Sequence, residues 1–209
     1  MKIRTETNTF SPFSLIAERG EYDALPPLDT LHIDFAPTKV NADRLAIASY
    51  LVFGSYASGT IEMPKKFCPA TAEAMEQDAR PVQLRPSPIE YYPQPLAIGQ
   101  RTAKVYFELP GESPEGQFGI LPSDSYSGII TGPNKLLLAS NAFVFDALTN
   151  SGQDIRARLA VAVLFAEDFS IDTFILDGTA IDHTEQRALI NLLASCRLGL
   201  QFLLPTTDQ

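Results

Sequence analysis

The stretch IDTFILDGTAIDHTEQRALINLLASCRLGLQFLLP, residues 171 to 205, decides the fold, because strand, helix and strand follow one another with short connections. Residues 171–177 read as a strand, an apolar run that carries Asp177 at its end and stops at Gly178. From His183 onward Leu189, Leu192, Leu193 and Cys196 recur at helical spacing. Asp182 and Glu185 form a capping box in which each carboxylate satisfies a backbone donor near the helix N-terminus. The segment LQFLLP then closes as a second strand. Strand, helix and strand in that order make a parallel pair with a right-handed crossover, so the C-terminal segment is a βαβ unit.

Working back along the chain, residues 154–166 predict a helix that is apolar nearly all round and therefore buried. The segment LHIDFAP alternates Leu31, Ile33 and Phe35 with His32 and Asp34, which is strand periodicity. A helix follows, with Asn41 as N-cap, Leu45, Ala48, Leu51 and Val52 on one face, and Gly54 ending it at positive φ. Next come a short strand stopped by Pro64 and a helix with Pro69 at its first position, where a missing N–H costs nothing. Residues 1–27 show little periodic apolar signal and read as an irregular arm or an edge segment. More than half of the sixteen prolines lie between Pro81 and Pro133, so residues 81–133 predict strands and loops rather than long helices. GPNKLLLASNAFVFDAL fits a strand or a short helix. The expected architecture is one compact α/β domain over residues 1–209. It has a mixed sheet, parallel βαβ units at both ends of the chain, and a proline-rich, partly antiparallel middle.

Asp34 and Arg44 stand 143 residues before Asp177 and Arg187, and each pair spans a strand end and an early helix position. The match suits a duplicated unit, and equally suits two βαβ units that look alike because all such units do.

Composition narrows the function. With 25 acidic and 16 basic residues the formal net charge is −9, which repels a nucleic-acid backbone or an anionic membrane. The best apolar window, Leu159 to Phe165, is far short of the roughly 20 residues of a membrane span. The first residues lack the apolar centre of a secretory signal. Cys68 and Cys196 are the only cysteines, too few for a disulfide framework, so a reducing, cytoplasmic setting is expected. His32 and His183 are the only histidines, and no Cys/His spacing resembles a zinc site. Neither a metal nor a cofactor is expected.

The nine residues FILDGTAID resemble the first motif of the haloacid dehalogenase-like phosphotransferases, an apolar strand running into Asp-x-Asp-Gly-Thr. The resemblance implies a nucleophilic carboxylate at position 175 and a general acid/base at Asp177. Position 175 is Ile, which has no lone pair to attack phosphorus, so the activity does not carry over. Asp177, Thr179 and His183 remain candidates for ligand binding or acid/base chemistry, since open α/β sheets collect ligands at the carboxyl ends of parallel strands. Asp34 joins them if the strand ends converge. The alternative is structural: Asp182 has sufficient work as a cap, and a histidine in a first helical turn is commonly just exposed.

Cys68 sits at a helix N-cap just after Lys65 and Lys66, the setting that activates a thiol, although no His-Asn or His-Asp partner is evident. Tyr91 and Tyr92, amid prolines, could anchor a protein partner or pack against the sheet. Two histidines and two separated cysteines make no complete catalytic set. The expectation is therefore a non-catalytic accessory or scaffolding subunit that binds another protein and is open to oligomerisation. A small-molecule or metal-dependent enzyme built on strand-end carboxylates is the alternative.

Overall fold

The computed structural model describes residues 1–7, 12–92, 95, 98–108, 117–132, 135–147, 155–178 and 181–203. Three strands come first: β1 (Lys2–Glu6), β2 (Phe13–Glu18) and β3 (Thr30–Ile33). They lead to α1 (Ala42–Phe53), β4 (Thr60–Phe67), α2 (Pro69–Asp78) and β5 (Arg85–Ile89). Then follow β6 (Arg101–Tyr106), β7 (Gln117–Pro122), β8 (Ile129–Gly132), β9 (Lys135–Ser140) and α3 (Ala142–Ala147). The chain continues through α4 (Arg156–Phe165), β10 (Ile171–Asp177), α5 (His183–Ser195) and β11 (Gly199–Leu203). The fold is α/β, as expected. No helix among the described residues is long and apolar enough to cross a membrane.

The strands form one mixed sheet in the order β11-β10-β6-β7-β9-β3-β2-β1-β4-β5, with β8 paired to β9 off that path. The order is nearly palindromic about the β3–β9 contact. On one side α1-β4-α2-β5 runs outward, and on the other α4-β10-α5-β11 does the same. The parallel βαβ units are therefore β4-α2-β5 and β10-α5-β11. The pairing of 31–64 with 174–205 suggested by sequence compares β3-α1-β4 with β10-α5-β11. These differ in kind, because β2 and β1 separate β3 from β4. The seam itself is thin. Among the described residues β3 and β9 share one register pair, Ile33 with Ser140, flanked by the Asp34 N–H on the Ala139 carbonyl and the Asn141 N–H on the His32 carbonyl, and β8 lies along the rest of that edge of β9. Side chains reinforce it: Asn141 accepts from the His32 N–H at 2.7 Å and donates to the Thr30 carbonyl, while the Ser140 hydroxyl donates to the His32 carbonyl.

The helices contact one another in a single layer, with α1 lying along α4 and α2 along α5. Alternation on the strands aims one face at this layer. In β4 Ile61 and Met63 are buried while Thr60 and Glu62 are exposed. α1 and α4, at the centre, are buried almost all round, as the apolar pattern of residues 154–166 requires. Phe165 of α4 packs against Phe118 of β7 and stacks with Phe35. On the open face Lys2–Glu62 and Arg4–Glu18 pair across strands.

Several local expectations change. Among the described residues of 1–27, Lys2–Glu6 and Phe13–Glu18 are strands rather than parts of an irregular arm: β1 pairs antiparallel with β2 and parallel with β4. Gly54 does end α1, but at φ −59° rather than positive φ; a Cβ there would run into the Tyr50 ring. β4 continues through Pro64 to Phe67, the proline falling where its register with β5 shifts between Glu62 and Phe67. GPNKLLLASNAFVFDAL supplies both a strand and a helix, β9 and α3. Among the described residues of the proline-rich region antiparallel pairing is confined to β8 with β9, while β6 and β7 pair in parallel.

One edge strand, β5, contains Pro86 and Pro88. Arg85 directs its N–H inward to the Gly59 carbonyl, so Pro86 falls on an outward-facing position and offers no donor there; past the register shift Glu90 directs its N–H inward to the Phe67 carbonyl, which puts Pro88 on the β4 side.

Candidate functional site

Asp177 lies exposed at the carboxyl end of β10, as the sequence suggests, and His183 lies exposed in the first turn of α5. Thr179 falls outside the described residues. Its described neighbours Gly178, Asp182 and Gln186 make structural contacts. Asp182 caps α5 by accepting the Thr184 N–H at 2.9 Å, and those bonds hold its carboxyl below the ordinary range. Gln186 donates to the Gly178 and Ile181 carbonyls at 3.2 and 3.0 Å, closing the turn from below. Gly178 is required because β11 passes close: a Cβ would sit 2.8 Å from the Cβ of Phe202. Glu185, expected to complete a capping box, turns instead to Arg156 at 2.7 Å.

Asp34 does not join Asp177 and His183. Its carboxylate accepts the Gly128 N–H at 2.8 Å and fixes the turn before β8 at the sheet seam. β3 and β10 stand four strand positions apart, roughly 19 Å at the usual interstrand spacing. Among the described residues no three His, Cys, Asp or Glu side chains are grouped to hold a metal ion. His32 shares a 3.0 Å hydrogen bond with the Ser14 hydroxyl, the network role its strand position suggests.

The structure does bring Cys68, Tyr91 and Tyr92 together. They line a cleft of about 350 Å3 where the N-termini of α1 and α2 meet the C-terminal end of α5 and the residues after β5. Cys68 is the N-cap residue of α2, with Pro69 at the first helical position as the sequence predicts. Its N–H donates to Asp43 at 2.7 Å, tying the starts of α1 and α2, and its Sγ lies 3.1 Å from the Thr71 hydroxyl. Thr71 in turn reaches the Ser195 carbonyl at 3.3 Å, joining α2 to the end of α5. The floor is thus a rigid hydrogen-bonded corner. Over it stand Tyr91 and Tyr92, 80% and 79% exposed, with the Tyr92 N–H held by Glu90 at 3.1 Å.

Cys196, in the core beside this corner, is not accessible: burial pushes its thiol up to about 12, despite the nearby charge of Arg44. Sequence reasoning missed Lys66 and Arg197 as lining residues. Lys66 was visible as a charge beside Cys68. Arg197 was not, because its arrival depends on α5 packing along α2.

No protein-family model, curated protein or solved structure matches this chain.

Proposed function

We propose that the protein is a non-catalytic accessory subunit that docks a partner protein at the Cys68–Tyr91–Tyr92 cleft. The observation that carries this is the pair of adjacent tyrosines, about 80% exposed, at the rim of a concave site with a hydrogen-bonded floor. Tyrosine combines large apolar area with few rotatable bonds, so it loses little entropy when a partner covers it. Exposing two side by side costs solubility that a docking surface explains. The outward Pro86 of β5 speaks against strand addition at this edge and favours side-chain docking as the mode. Cys68 has a structural use in this reading, because its backbone joins α1 to α2.

Affinity purification from the native host, quantified by mass spectrometry, compares the wild type with Tyr91→Ala/Tyr92→Ala. A partner should be lost from the variant at an unchanged melting temperature. Retention of every co-purifying protein sinks the proposal.

A further inference from the structure

We draw no further inference here: the strongest candidate, the outer edge of β11 with the exposed Leu203 at its end, which pairs with no strand among the described residues, carries nothing because nothing in the structure shows what covers it.

Discussion

Replacing Arg156 by methionine should destabilise the protein by about 3 kcal/mol. The guanidinium, at the start of α4, donates to Asp78 at 2.7 and 3.1 Å and to Glu185 at 2.7 and 2.9 Å. Asp78 lies at the end of α2 and also accepts the Tyr50 hydroxyl of α1 at 2.7 Å. One cation therefore ties together the four helices of the central layer. Burial disfavours its charge, but the bonds to Glu185 and Asp78 outweigh that and hold it firmly protonated. Burial, and after it the Asp78 charge, push the Tyr50 phenol well above its ordinary value, so it stays a donor. Methionine fills much of the volume yet leaves the two carboxylates facing each other, Asp78 with a side chain only 8% exposed. Breaking a buried pair from one side costs about 3–5 kcal/mol, and partial exposure of Glu185 puts this case at the low end. The chain has no tryptophan, so urea unfolding is best followed by circular dichroism. With a slope of about 2 kcal/mol/M the midpoint should fall by about 1.5 M. Adding Asp78→Asn and Glu185→Gln to Arg156→Met should recover much of the loss, because the remaining groups are then neutral. A single variant within about 0.5 kcal/mol of wild type, or no recovery in the triple, would refute the assignment.

Other outcomes follow from the same contacts. Gly178→Ala should cost about 1–3 kcal/mol in denaturant unfolding, since its Cβ overlaps Phe202; an unchanged midpoint would mean β10 and β11 can part freely. Brief alkylation of the native protein should modify Cys68 alone, and Cys196 only after unfolding, as read by peptide mass spectrometry; early labelling of Cys196 would show that its burial is not maintained. Asp182→Ala should lower the melting temperature at pH 7. Because the bonds from Thr184 hold that carboxyl low, its contribution is complete above the ordinary carboxylate range and vanishes as pH falls through the lowered value. The difference between variant and wild type should therefore close in acid, and a gap that persists there would assign the effect to something other than the cap.

The parts legible in the sequence are those fixed by neighbours along the chain. β10-α5-β11 could be read because period and cap change within a few residues, and the Asn41 cap of α1 is likewise local. β1 could not, because only Ile3 of KIRTE is buried and the strand exists through pairing with β2 and β4. Asp34 looked like a strand-end ligand because nothing nearby reveals that its partner, Gly128, lies 94 positions on. Cys68 and the tyrosines were each singled out, but their shared cleft follows from α2 lying against both β5 and α5. Glu185 matched a capping pattern, and a stronger cation from another helix claimed it.

The outward Pro86 of β5 also limits how copies of this chain can aggregate. A fibre grown edge to edge needs two adhesive rims per molecule, and at the β5 rim Pro86 leaves a gap in the row of donors. Among the described residues the opposite rim, β11, has β10 as its sole neighbour and contains no proline. A joining of β11 to β11 about a two-fold axis uses that rim of both copies and halts at a pair.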